Sequence, residues 1–165
     1  MPAQSQGSAP GLAKAFMSDS ILVDTNLLVY AYDRSEPEKQ VRALEVLNRL
    51  AMTRHGALST QVLSEFFVTV IYKLPAPLPI EQAIKRLQNY LLSWLVIDVT
   101  GMVILEAARG VRDHQLNFWD AQIWATAHLN QIPAVFSEDF SDGRVIEGVR
   151  FVNPFSSGFH LSDWA

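Results

Sequence analysis

The sequence predicts an α/β fold built on a mostly parallel five-stranded sheet. Three observations carry that expectation. Short apolar runs bounded by turn residues alternate with longer stretches of helical periodicity, from Ile21-Leu22-Val23 to the run 149–152. The first run is apolar at every position rather than at alternate ones, as in strands buried on both faces. The connections are long enough to hold helices, so right-handed crossovers can join parallel strands.

Residues 20–24 read as the first strand, ended by the turn-forming Asp24. A helix over 26–32 follows and is broken by Asp33-Arg34-Ser35-Glu36-Pro37. Ser35 suits an N-cap and Pro37 the first turn of the next helix. That helix carries Val41, Leu44, Val46, Leu47 and Leu50 mostly on one face. Ala57-Leu58-Ser59 makes a second strand. Residues 60–72 are helical, with Val62, Leu63, Phe66, Phe67 and Val70 inward. The prolines at 75, 77 and 79 forbid a helix interior. A helix resumes over 80–94, and Leu95-Val96-Ile97 is the third strand. Thr100 caps a helix to about His114, and Asn117 caps another to about Asn130. Residues 134–136 and 149–152 supply the fourth and fifth strands.

A chain of 165 residues is ordinarily one domain, and 49% hydrophobic residues suffice for a core. The reading places a flexible N-terminal tail at 1–20, one domain at 21–155 and a peripheral C-terminal tail at 156–165. Gln4, Ser5, Gln6, Gly7, Ser8, Pro10 and Gly11 give the first segment linker character, and Met17 is a possible alternative start. The absence of cysteine excludes disulfides, zinc–thiolate sites and thiol nucleophiles. With no secretory apolar block and no membrane-length apolar run, the expectation is a cytoplasmic protein that does not enter a membrane.

Four acids stand out because each falls where a strand meets a helix or a loop. Asp24 follows the first strand, and Glu65 lies one turn into the helix that begins at Thr60. Asp120 opens the helix after Asn117, and Asp139 follows the fourth strand. In open α/β sheets the working site lies beyond the carboxyl ends of the strands. Carboxylates gathered there repel one another unless a cation neutralises them, and oxygen ligands suit Mg²⁺ or Mn²⁺. Each acid also has an ordinary role. Asp24 and Asp120 can serve helix N-termini, Glu65 a solvated helix face and Asp139 a turn. Thr25, Asn26 and Ser137 are short polar groups able to orient a carboxylate, and Asp142 is a possible further acid. Net charge is −4, with 13 Lys+Arg against 17 Asp+Glu, so the four acids equal the excess. Overall charge therefore does not exclude a nucleic-acid substrate. No dinucleotide, phosphate-loop or nucleophile-elbow motif is present. The histidines show no ligand spacing and no basic run stands out.

Four segments in order carry a family resemblance. They are Val23-Asp24-Thr25-Asn26-Leu27-Leu28, then Ser59 through Phe66, then Phe118-Trp119-Asp120-Ala121, then Ser137-Glu138-Asp139-Phe140 through Gly143. The ending Val152-Asn153-Pro154-Phe155 also fits one branch. With these motifs the chain resembles the PIN-domain nucleases, and among them the VapC-type toxins of bacterial toxin–antitoxin pairs, over residues 21–155. The resemblance implies an α/β/α sandwich and endoribonuclease activity. By motif position, Asp24, Glu65, Asp120 and Asp139 would hold Mg²⁺ or Mn²⁺. It also implies an RNA substrate, a homodimer and a cognate antitoxin protein.

Three rivals remain at this stage. A housekeeping RNA-processing nuclease would share the site but have no inhibitor. A non-catalytic module would bind RNA or protein, but concentrated negative charge does not help an inert RNA binder. A haloacid-dehalogenase-like phosphatase would want Asp-x-Asp after the first strand, where this chain has Asn26.

Overall fold

A computed structural model describes residues 19–165. The expectation of a flexible segment at the N-terminus lies, for residues 1–18, outside the described residues. Ser20, placed in that segment, is buried beside the first strand.

The elements run β1 Ile21–Val23, α1 Thr25–Tyr30, α2 Pro37–Thr53, β2 Gly56–Ser59, α3 Thr60–Tyr72, α4 Ile80–Ser93 and β3 Leu95–Ile97. Then come α5 Gly101–His114, α6 Phe118–Leu129, β4 Ala134–Phe136, β5 Val145–Ile146, β6 Val149–Val152 and a 3₁₀ turn Leu161–Asp163. Among the described residues six strands form one sheet, ordered β3-β2-β1-β4-β6-β5. All neighbours are parallel except β5, which runs antiparallel to β6. The sheet is α/β with flanking helices, as expected, but with a sixth strand. β5 is two residues long, too short for any periodicity to reveal. It returns through Glu147 and Gly148 at φ 46° and 83°. Positive φ at both central residues is the pattern of a tight hairpin turn.

The strand order explains where the helices lie. From β1 to β3 the chain steps outward in one direction. From β3 it crosses back to β4 through α5 and α6. Right-handed crossovers in opposite directions put the two helix groups on opposite faces. The sheet is therefore covered on both sides, and Leu22, Val23, Leu58, Val135, Phe136 and Phe151 are fully enclosed.

Local chemistry sets the helix starts. Ser59, Thr100 and Asn117 each accept a hydrogen bond from a backbone N–H of the first turn. Ser35 does not cap α2: it bonds Asp33, and Glu36 takes the cap position without a side-chain bond. The tail expected to be peripheral folds back on the sheet, where Phe159 and Trp164 meet Phe136 edge-on at 5.5 and 5.4 Å. No helix among the described residues is long and apolar enough to cross a membrane.

Helices α5 and α6 approach closely because Gly110 has no side chain. A Cβ there would lie 2.9 Å from the ring of Trp124. That ring is fully buried, stacks on His128 at 5.0 Å and donates to the Ile146 carbonyl, so it has nowhere to go. Gly110→Ala is predicted to cost about 1–3 kcal/mol through overpacking, despite the helix-propensity gain. Chemical denaturation of the two proteins measures it, and an unchanged midpoint would show that the helices can separate freely.

Candidate active site

The strand order reverses between β1 and β4, and the crevice at such a reversal is the usual ligand site of an open α/β sheet. Val23 pairs with Phe136, so the next residues, Asp24 and Ser137, leave the sheet side by side. The Asp24 amide donates to the Phe136 carbonyl at 2.9 Å. The Ser137 hydroxyl donates to Asp24 Oδ2 at 2.7 Å, and the Thr25 N–H donates to Oδ1 at 2.7 Å. Asp24 thus caps α1 and faces the crevice at once. It is only 5% exposed. Burial pushes its carboxyl up to about 7, against the bonds from Ser137 and Thr25, and the charges of Asp139 and Glu65 push the same way.

Glu65 reaches the same mouth from α3. Thr25 Oγ1 donates to its Oε2 at 3.1 Å and Gln61 Nε2 to its Oε1 at 2.8 Å. Gln61 sits one turn earlier on the same helix face. Its amide also donates to the Trp119 carbonyl at 3.1 Å, and its oxygen accepts from Gln122 Nε2 at 2.7 Å. A chain of buried amides therefore ties α3 to the first turns of α6.

Asp120 lies in the first turn of α6. Its N–H donates to Asn117 Oδ1 at 2.9 Å, and Asn117 Nδ2 returns a bond to its Oδ2. Desolvation raises the Asp120 carboxyl, opposed by Asn117 and reinforced by the charges of Asp139 and Glu65. Asp139 comes from the loop after β4. Asn26 Nδ2 donates to it at 3.1 Å and to Ser137 Oγ at 3.2 Å, and the Asp139 N–H donates to the same hydroxyl at 3.1 Å.

The four acids singled out from the sequence therefore converge on one mouth, with Thr25, Asn26 and Ser137 holding Asp24, Glu65 and Asp139, and Asn117 holding Asp120. Two neighbouring acids point elsewhere. Glu138 accepts from the Tyr30 hydroxyl and pairs with Lys39 at 2.9 Å. Asp142, expected to join the group, instead accepts from the Asn153 N–H at 2.9 Å and holds the end of β6. The bond between Asp120 and the capping Asn117 is the ordinary role the sequence offered, whereas Gln61 and Gln122 are supports that the sequence reading does not name. For Gln61 a signal existed, since it precedes Glu65 by one helical turn.

The residues present fit a hard divalent cation. The donors are all oxygens, and their hydrogen-bond partners are neutral amides and hydroxyls rather than Lys or Arg. Asn26 Oδ1, beside Asp139, is a buried acceptor without a partner. It is a natural ligand for a cation-bound water. Among the described residues, three ligand atoms lie within 4.8 Å of one another not in this mouth but in another group, Glu106, His128 and Glu147. There the cation is already supplied. Arg109 Nε donates to Glu106 at 3.0 Å and its Nη1 to Glu147 at 3.0 Å.

The PIN domain family model matches residues 21–141. Several solved structures share the fold. One is a toxin–antitoxin complex from Klebsiella pneumoniae, at 23% identity and TM-score 0.60, covering 82% of this chain and 98% of that one. Another is VapBC2 from Rickettsia felis bound to a DNA fragment from its promoter, at 18% identity and TM-score 0.56, covering 81% and 97%. A third is DNA-bound VapBC from Salmonella typhimurium, at 16% and 0.58, covering 82% and 98%. A search of curated proteins by sequence found no match.

The raised Asp24 carboxyl gives a pH prediction. Its folded pKa of about 7 lies above the ordinary 3.8, so the folded state holds the proton more tightly than the unfolded state. Its contribution to stability is full below about pH 4 and is lost as pH rises through about 7. Without divalent cations, Asp24→Asn is predicted to be more stable than the parent at pH 8 and to remove part of this decline. Asn can still accept from Thr25. Parallel denaturation series from pH 4 to 8 check this, and identical pH slopes would contradict it.

Proposed function

The chain belongs to the PIN domain family, and from that premise we propose that it is a metal-dependent endoribonuclease acting as the toxin of a toxin–antitoxin pair. The observation that carries the proposal is the convergence of Asp24, Glu65, Asp120 and Asp139 with no internal cation bonded to them. In this reading the four carboxylates hold Mg²⁺ or Mn²⁺. When bound, such an ion lowers the pKa of a water and offsets charge on the phosphodiester under attack.

The remaining residues act by positioning. Thr25 and Gln61 fix the two oxygens of Glu65. Asn117 fixes the Asp120 rotamer. Ser137 joins Asp24 to the Asp139 loop by donating to one and accepting from the other. Supports of this kind commonly matter by about 10–100-fold in metal affinity or activity. Because cation binding must displace the proton that Asp24 holds near neutral pH, affinity rises with pH in that range.

The toxin role is favoured over a housekeeping nuclease by the neighbouring folds, of which one is a toxin–antitoxin complex and two are VapBC bound to DNA. We propose a cognate antitoxin protein on the same ground, and a homodimer as the family resemblance implies. Growth arrest on expression, relieved by the product of an adjacent reading frame, separates the two roles.

Purified protein is predicted to cleave RNA with Mg²⁺ or Mn²⁺ and not with chelator, leaving 5′-phosphate and 3′-hydroxyl ends. Asp120→Asn should lower cleavage by about 100-fold or more, and Gln61→Ala by about 10–100-fold. End analysis of a labelled RNA tests the chemistry. Products with 2′,3′-cyclic phosphate, or full activity in chelator, would refute the proposal.

A further inference from the structure

A groove of about 690 Å³ opens directly beside the carboxylates, and Glu65 lines both. One wall is Trp119, which is 62% exposed although it adjoins Asp120. Trp94 and Trp164 are half-buried and Trp124 is enclosed, so Trp119 is the most exposed tryptophan of the chain. The Phe118 ring meets it edge-on at 5.5 Å and is also exposed, so the two form a contiguous aromatic patch beside the mouth, the kind of surface that marks a binding site. The groove floor is mixed. Val68 and Val99 are apolar, whereas Ser64 Oγ and Gln122 Oε1 can accept hydrogen bonds, the Ser64 hydroxyl donating to the Thr60 carbonyl and Gln122 Nε2 to Gln61, and Lys73 caps the far end of α3. Lys73 lies eight positions after Glu65, about 12 Å along the helix.

Resting on the nuclease reading above, we propose that this groove is a nucleobase subsite for single-stranded RNA. One unstacked base lies against Trp119, with its edge within reach of Ser64 and Gln122. Lys73 meets the backbone beyond it. The features fit this occupant together. An aromatic platform, short polar groups and one cation are the usual elements for holding single-stranded nucleic acid. The shared Glu65 sets the neighbouring phosphodiester at the proposed metal site. Gln61 links the two physically, because it bonds both Glu65 and the Trp119 carbonyl. The subsite also selects against duplex RNA, whose bases are stacked and paired.

Tryptophan fluorescence tests this. The full chain is titrated in chelator with a mixed-sequence RNA decamer, and with the same decamer lacking bases at its centre. Cleavage of the intact decamer with Mg²⁺ is measured in parallel. Quenching by the intact decamer, absent for the abasic one and absent in Trp119→Phe, is expected. Trp119→Ala should weaken binding and raise KM by roughly 5- to 150-fold, with kcat much less affected, whereas Trp119→Phe should retain most of the affinity. Unchanged KM in Trp119→Ala, with cleavage still lost in Asp120→Asn, would overturn the subsite and leave the nuclease intact. If Trp119→Ala instead alters the oligomeric state on sizing while binding RNA as before, the groove belongs to a protein contact and the proposal falls. A parent that neither binds nor cleaves RNA would defeat the nuclease reading, and the subsite with it.

Discussion

The hydrogen bond from Ser137 to Asp24 is the contact around which the molecule is arranged. It joins the ends of β1 and β4, where the sheet changes direction. A carboxylate placed there is almost out of water, and burial of an ion is expensive unless partners compensate. Neutral donors compensate only partly, which is why the carboxyl retains its proton to unusually high pH. Glu65, Asp120 and Asp139 are then added around it, each tied by an amide or hydroxyl rather than by a basic side chain. The arrangement preserves negative potential where a structural role alone would have removed it.

The contrast with the opposite cluster makes this clear. Around Glu106 and Glu147 the chain supplies Arg109, and burial of charge is resolved internally. The bonds to Arg109 hold Glu147 down at about 2. Raised and lowered carboxyls in one small domain thus mark two uses of acidic residues. One set closes a helix pair against a hairpin, and the other has no basic side chain bonded to it.

Much of this was legible in the sequence because its signals are local. Asp24 follows an unbroken apolar run, and Asp120 follows an N-capping Asn, so both sit at element ends. Their ordinary roles hold as well: Asp24 caps α1, and Asp120 bonds Asn117. Capping and convergence therefore never competed, since the end of a strand or start of a helix is also the edge of the crevice. What escaped was long-range. Glu138, Asp139 and Asp142 are equivalent by composition, and only tertiary partners separate them: Tyr30 and Lys39 for the first, Asn26 for the second, Asn153 for the third. Gln61 and Gln122 look like ordinary helix residues until 61 positions of chain are folded to bring them together. Strand β5 was missed because two residues carry no period, and the folded-back tail because its anchor, Phe136, lies in another element.

Ser137 lies 113 residues after Asp24. Strand β1 is made about 110 residues before its partner β4. At about 5–20 residues per second, the nascent polypeptide spends several seconds with Asp24 and Glu65 made but Asp120 and Asp139 missing. No N-terminal fragment ending before β4 contains the whole constellation. With the proposed ribonuclease activity, a mouth completed early would endanger the template and the machinery producing it. The parallel pairing of distant strands would thus act as a built-in delay, withholding the complete mouth until β4 and the loop after it have been made.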